Sequence, residues 1–382
     1  MPKVLFLIDT LEVGGAETSI LEIASRLKKW KPVVISIYKG DTLVDRFREK
    51  QIRVYTLNSE KKFNITSGLK DIGKIIEKER PDIIHATLFR AEQFSRILGP
   101  KYKVPVINSF VNDSYSQERY KNLDLQGVIK LKFYQLFDRI TASRVDKFMS
   151  ITKAIIPNNA NALKINHKNI DVIYRGRDIS SFRKKGSMQL EQLGNLNNGP
   201  VILTVSRLLK RKGYVESIKA MAKVINIRPD VKYLIAGEGH DRPVFEKLIA
   251  CLELEKNVQL LGNRSDVPGL LQLADIFLFP SHYEGQGGAL VEAMIMGTPI
   301  IAARIPVIEE SVEDLKSALL FEPKDVEDLS NKILWALENS ENMREIGKNA
   351  MSVAEERFDI EVVASEHEKL YSKVLKEHSP EV

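Results

Sequence analysis

Cysteine is nearly absent: one residue, Cys251, stands in a chain of 382. A disulfide framework is therefore excluded, and a reducing compartment is compatible with the chain. Cys251 falls in a helical pattern with Phe245, Leu248, Ile249 and Leu252 and reads as a packing residue. No apolar run approaches the ~18 residues of a membrane span. The first apolar segment, Val4 to Ile8, is too short for a signal-peptide core and runs into Asp9, so a cytoplasmic location is expected. No Asp-x-Asp pair occurs, and no bound metal is expected. The dinucleotide fingerprint is missing as well, because Glu17 stands where its third glycine would be. Aromatics make up 7% of the chain, and the basic regions lack interleaved aromatics on a recognisable nucleic-acid module, so no nucleic-acid partner is expected.

What is present is an ordinary globular composition, 43% apolar and 28% charged. At this length two domains are expected, each able to bury its own core. The net charge of +6 conceals an asymmetry. Residues 1–180 carry 32 lysines and arginines against 20 carboxylates, and residues 181–382 carry 25 against 31. A half with an excess of +12 suits an anionic surface, with lipid head groups preferred over nucleic acid and a solvated basic face as the alternative.

Along the chain, short apolar strands alternate with amphipathic helical patterns, which predicts parallel sheets covered on both faces. The stretch Lys184–Pro200, rich in Gly, Asn, Gln and Ser, interrupts this order and reads as a linker. The expected organisation is an α/β chain with one doubly wound, Rossmann-like domain over 1–183, a linker over 184–200 and a second such domain over 201–357. A final helical segment covers 358–382. Ligands of such sheets sit at the carboxyl ends of strands.

One stretch organises the second domain. The apolar run Asp275–Phe279 reads as a strand ended by Pro280 and Ser281, followed by a loop with Glu284 and glycines at 285, 287 and 288. From Gly288 the pattern turns helical until Gly297 and Pro299. A glycine-rich loop opening a helix aims unpaired N–H groups and the positive end of a dipole at one point, which suits a phosphate. Glu284 and Glu292 flank that point. Phosphate repels carboxylates, so neutral hydroxyls on either side of a diphosphate are their natural partners. Upstream, Ser206 to Gly213 places Arg207 at a strand end and Lys212 before a helix, where both cations can meet a diphosphate.

Phe-Pro-Ser, Glu-Gly-x-Gly, Glu-Ala and Gly-x-Pro, in this order and spacing, resemble the nucleotide-sugar site of retaining GT-B glycosyltransferases of glycosyltransferase family 4. The resemblance implies two Rossmann-like domains facing across a cleft, with the final helix returning to the first. It implies donor binding by Arg207, Lys212, Gly285, Gln286, Gly287, Gly288, Ala289 and Leu290, and ribose binding by Glu292. Sugar binding and support of an oxocarbenium-like transition state fall to Glu284. Gly237, in the Gly-Glu-Gly turn, and the segment holding Asn263 and Arg264 would lie around the donor and its base, and Gly14 and Gly15 match the family's first glycine-rich loop. His85, at the end of a strand, reads either as an acceptor-side residue or as a satisfied structural histidine.

The chain departs from the family after the strand Val104–Phe110, where relatives often carry a histidine that contacts the transferred sugar. Val111 stands there, and Asn112 or Asp113 are the expected substitutes. Where relatives carry Asn-Gly-x-Asp, this chain has Arg175, Gly176, Arg177 and Asp178, and the two arginines are expected either to face an anionic acceptor or to form ordinary ion pairs. The region from Arg119 to Lys147 mixes seven basic residues with Leu131, Phe133, Tyr134, Phe137 and Ile140. A core-facing helix with a solvated outer face is the favoured reading, and a basic amphipathic surface for a bilayer the alternative.

The function this implies is retaining transfer of a sugar from a nucleoside-diphosphate sugar, UDP favoured, to a hydroxyl of a glycan or lipid-linked acceptor in cell-surface polysaccharide or glycolipid synthesis. The nucleotide sugar is a co-substrate, with no further cofactor. The alternatives are a nucleotide-sugar epimerase of the same fold and a non-catalytic sugar-nucleotide-binding subunit.

Overall fold

The computed structural model describes residues 1–59, 65–121, 123–186 and 199–378. It divides into two compact units, one formed by Met1–Arg177 with Ile360–Val382 and the other by Asp178–Asp359.

In the first unit seven parallel strands form one sheet: β1 (Lys3–Ile8), β2 (Lys31–Tyr38), β3 (Arg53–Ser59), β4 (Ile83–Thr87), β5 (Val106–Phe110), β6 (Lys147–Ser150) and β7 (Ile170–Val172). Their order is β3-β2-β1-β4-β5-β6-β7. Val4 to Ile8, Ile83 to Thr87 and Val106 to Phe110 are buried at every position, as strands covered by helices on both faces must be. Strand order reverses between β1 and β4, where Val4 to Ile8 pair with Ile83 to Thr87. Chain termini of this sheet are tied by the helix Ile360–His378: Tyr371 is fully buried against Trp30, with ring centroids 5.4 Å apart. Glu368 accepts from the Lys28 amide at 2.6 Å.

The second unit has six parallel strands: β8 (Val201–Val205), β9 (Lys232–Ala236), β10 (Val258–Gly262), β11 (Ile276–Phe279), β12 (Ile300–Ala303) and β13 (Leu319–Phe321). Their order is β10-β9-β8-β11-β12-β13. The reversal now falls between β8 and β11, so the loops leaving these two strands diverge to either side of one crevice, the usual ligand position in such sheets.

Three expectations change. The first domain ends at Arg177 rather than 183, because the helix Ile179–Gly186 belongs to the second unit. There Arg183 donates to the Ile295 carbonyl at 3.0 Å and pairs with Glu355 at 2.7 Å. Residues 184–186 are the end of this helix, and 187–198 lie outside the described residues. Cys251 is exposed, since Phe245 and Ile249 take the buried face of the helix Arg242–Cys251. The helix Leu125–Thr141 turns Leu131 inward but leaves Phe133, Leu136 and Ile140 in solvent. Among the described residues no helix is long and apolar enough to cross a membrane.

Candidate functional site

Two loops meet at the reversal point of the second sheet. The first leaves β8 through Ser206 and Arg207, makes a 3-10 turn over Lys210–Lys212 and ends at Gly213. The second leaves β11 through Pro280 and Ser281 and ends at Gly287, which opens the helix Gly288–Met296. Gly213 has φ +74°, and a Cβ there would stand 2.0 Å from the Pro280 carbonyl oxygen. Only glycine allows both this backbone and this approach.

Side chains fasten the loops further. The His282 amide donates to the Arg211 carbonyl at 3.0 Å, and its ring lies 3.3 Å from the Glu216 carboxylate. The Arg211 guanidinium covers the Tyr283 ring at 4.8 Å. Lys212 pairs directly with Glu284, both side chains almost withdrawn from solvent. Burial lowers the Lys212 pKa, and nearby Arg211 and Arg207 add to that effect while Glu284 opposes it. Arg207, Lys212 and Glu284 therefore share one locality, with Arg207 exposed.

Gly287 takes φ +84° and offers no side chain to cap the helix it opens. The N–H groups at Gly288, Ala289 and Leu290 occupy a first turn, where none has an intrahelical acceptor. Gly285 and Gln286 precede them in the loop, with Gln286 buried, and Glu292 sits half-buried on the same helix.

The turn after β9 completes the locality. Gly237 has φ +145° and its Cβ would lie 2.0 Å from the Ser206 carbonyl oxygen, while the Leu208 amide donates to the Glu238 carbonyl at 3.0 Å. The Gly237 amide donates to the Gly262 carbonyl at 2.7 Å, joining the turn to the end of β10. There Asn263 is exposed, whereas Arg264 is turned back onto Asp266, with Nε 2.8 Å from the carboxylate.

In the first unit, Gly14, Gly15 and Arg175 come together. Gly14 caps the helix Gly15–Ala24, and a Cβ on Gly15 would stand 3.0 Å from the Arg175 guanidinium. Burial and Arg177 bring the Arg175 pKa down to about 10, against the pull of Glu17. Arg177 donates to the Gly176 carbonyl at 3.1 Å.

His85 is buried and hydrogen-bonded through both ring nitrogens, with Nδ1 2.8 Å from the Tyr371 hydroxyl and Nε2 2.6 Å from the Ser109 hydroxyl. Burial and the neighbouring His367 pull its pKa down to about 3. Val111 is buried. Asn112 is exposed, its carbonyl accepting from Asn159 at 3.0 Å, and Asp113 accepts from Asn158 at 2.8 Å while burial raises its pKa.

Val111 and Asn112 line a cavity of about 370 Å³ that the sequence did not foretell. Its polar wall is Arg96, fully buried, which donates to Asn108 at 2.7 Å, Asp138 at 2.8 Å and Glu92 at 3.1 Å. Burial raises the Glu92 pKa well above the usual carboxylate range. The i,i+4 spacing of Glu92 and Arg96 was the one available signal, and it is shared with many solvent-exposed pairs. At the rim, Leu88 has φ +78°, a backbone region that non-glycine residues seldom enter.

Comparison with known proteins places the family and the fold. The profile described as Glycosyltransferase Family 4 matches residues 13–181, and the one described as Glycosyl transferases group 1 matches residues 188–353. The crystal structure of Anabaena Alr3699/HepE in complex with UDP and glucose superposes with a TM-score of 0.85 at 23% identity, over 98% of this chain and 100% of that one. The N-acetyl-alpha-D-glucosaminyl L-malate synthase of Bacillus anthracis is 27% identical over 240 residues, 63% of this chain and 62% of that protein. The matched stretch thus spans less than two thirds of that relative's length. The N,N'-diacetylbacillosaminyl-diphospho-undecaprenol alpha-1,3-N-acetylgalactosaminyltransferase of Campylobacter jejuni is 24% identical over 376 residues, 93% of this chain and 95% of that protein.

Two Rossmann-like parallel sheets and this structural neighbour define the fold as GT-B. The chain belongs to the group 1 glycosyl transferases, glycosyltransferase family 4.

Proposed function

We propose that the protein transfers a sugar from a nucleoside-diphosphate sugar to a hydroxyl of a glycan or lipid-linked acceptor, with retention at the anomeric carbon and without a bound metal. The observation that carries this is the buried Lys212–Glu284 pair, set at the reversal point of the second sheet beside an uncapped helix mouth. Arg207, Lys212 and the first-turn amides at Gly288, Ala289 and Leu290 hold the diphosphate and stabilise it as it departs. Glu284 accepts hydrogen bonds from sugar hydroxyls and favours positive charge developing at the anomeric centre. Glu292 holds the ribose, and backbone around Gly237, Asn263 and Arg264 borders the base. Asn112, Asp113, Arg175 and Arg177 serve the acceptor side. The bond from the anomeric carbon to the diphosphate oxygen breaks, the bond to the acceptor oxygen forms on the same face, and the hydroxyl proton passes to the departing diphosphate.

UDP is the favoured nucleotide, supported by the structural neighbour's complex with UDP and glucose. A lipid-linked acceptor is supported by the Campylobacter relative, whose name gives a diphospho-undecaprenol substrate. A panel of sugar nucleotides tests the reading: the matching donor raises the melting temperature, and its sugar then appears on an acceptor with the donor's anomeric configuration. A panel with no stabilising sugar nucleotide contradicts it, and isomerised donor without transfer points to an epimerase.

A further inference from the structure

The helix Leu125–Thr141 carries apolar residues on two sides. One side anchors it: Leu131, Asp138 and Thr141 are buried, Asp138 accepts from Arg96 at 2.8 Å, and Tyr134 meets Phe89 edge-on with ring centroids 4.5 Å apart. The other side is a stripe that no element among the described residues covers. Leu125, Ile129, Phe133, Leu136 and Ile140 are 77%, 61%, 67%, 54% and 65% exposed. At about 100° per residue these five positions fall within an arc of about 80°, and they run about 22 Å along the axis. Scattered exposed apolar residues need no explanation, whereas a continuous stripe marks something that covers it.

Charge identifies the cover. The helix has three basic residues, Lys130, Lys132 and Arg139, and a single carboxylate, Asp138, which is buried. On the helical wheel Lys132 and Arg139 border one edge of the stripe and Lys130 the other. Arg119 and Lys121 precede the helix, with Glu118 and Asp124 among them, and Arg144 follows it, whereas Lys147 is withdrawn into a pair with Asp171. An apolar stripe rimmed by cations, on a helix of modest length, is the pattern of a segment lying in the plane of an anionic interface. A second copy of the chain in a two-fold contact would set this rim against an identical basic rim, which charge disfavours.

We infer that the outer face of Leu125–Thr141 docks the protein on an anionic phospholipid bilayer, with the five apolar side chains entering the head-group boundary and the basic rim against lipid phosphates. The inference extends the lipid-linked acceptor reading by naming the surface that brings the protein to such an acceptor. Its test uses neither nucleotide nor acceptor, so either idea can fail alone.

The full-length protein is floated with vesicles of phosphatidylcholine alone and of phosphatidylcholine mixed with phosphatidylglycerol. Wild type is expected to float with the mixed vesicles and stay behind with the neutral ones, and added salt weakens the binding. Ile129→Gln with Phe133→Gln, and separately Lys130→Glu with Lys132→Glu, each lower vesicle binding by about tenfold or more. All four positions are exposed, so melting temperatures should stay at the wild-type value. Failure to float with anionic vesicles, equal floating with neutral ones, or variants that float like wild type would each overturn the inference. So would a dimer in light scattering that the Ile129→Gln, Phe133→Gln variant splits, since a second copy would then own the face.

Discussion

Lys212 and Glu284 form an ion pair whose side chains are 10% and 11% exposed, joining the loop after β8 to the loop after β11. The pair solves a physical problem. A cation proposed to meet a diphosphate must remain charged while buried, yet burial and two nearby arginines favour the neutral amine. Glu284 holds the charge in place, and an arriving diphosphate adds anionic charge at the same locality.

Arg207 is exposed at the lip of that locality, so its removal should not disturb the fold. Arg207→Ala is expected to weaken UDP affinity by about 1.5–3 kcal/mol, the scale of a charged hydrogen bond. Calorimetry on a variant with unchanged melting temperature measures this directly. Unaltered affinity removes Arg207 from the site.

Gly213 carries both a left-handed backbone and the contact with the Pro280 carbonyl. Gly213→Ala must strain the turn and push the two loops apart, costing about 1–3 kcal/mol of stability. Chemical denaturation checks the loss, and turnover should fall with it because Lys212 and Glu284 lie on opposite sides of the separation.

Acid stability depends on the closing helix of the first unit. Burial holds His85 at about 3 and His367 at about 4, both below the usual histidine value of 6.5. As pH falls below 6.5 the unfolded chain binds protons that the folded chain refuses, so these residues make stability drop until their folded pKa values are reached. The slope is up to about 1.4 kcal/mol per pH unit for each ring. Asp9 acts oppositely: burial raises it to about 6, so its contribution is present at low pH and lost as pH rises toward 6. The readout is therefore the difference between wild type and His367→Gln, measured by urea titration between pH 4 and pH 7. The variant is expected to lose less stability on acidification. Parallel profiles contradict the assignment.

If protein cations oppose the leaving-group charge, as proposed, EDTA should leave turnover unchanged. Activity that disappears on chelation and returns with a divalent ion would contradict metal independence.

Much of this was legible in the sequence. Apolar runs such as Val4 to Ile8 and Ile276 to Phe279 are buried strands because parallel sheets hide both faces. The strand–loop–helix of the second unit was marked by Gly287 and Gly297, whose positions are fixed by left-handed backbone conformation rather than by distant contacts. Tertiary effects escaped. Ile179–Gly186 carries little apolar surface, and its membership of the second unit comes from long-range contacts: Gly186 packed close to Met296 and Gln272, and Arg183 reaching Ile295 and Glu355. The stripe from Leu125 to Ile140 has the spacing of a core face, and only the structure shows that Leu131 took the inward position. The bonds of His85 to Ser109 and Tyr371 join residues 24 and 286 positions away, beyond any local pattern.

The Glu284→Ala variant tests the central claim most directly, by turnover with a donor sugar and by UDP binding in the same preparation. Turnover is expected to fall by about 10²–10³, the scale of losing one preorganised charge at a transition state. UDP should still bind, because its own negative charge then takes over from Glu284 in keeping Lys212 protonated. Turnover near wild type, or loss of UDP binding in a folded variant, would contradict the account.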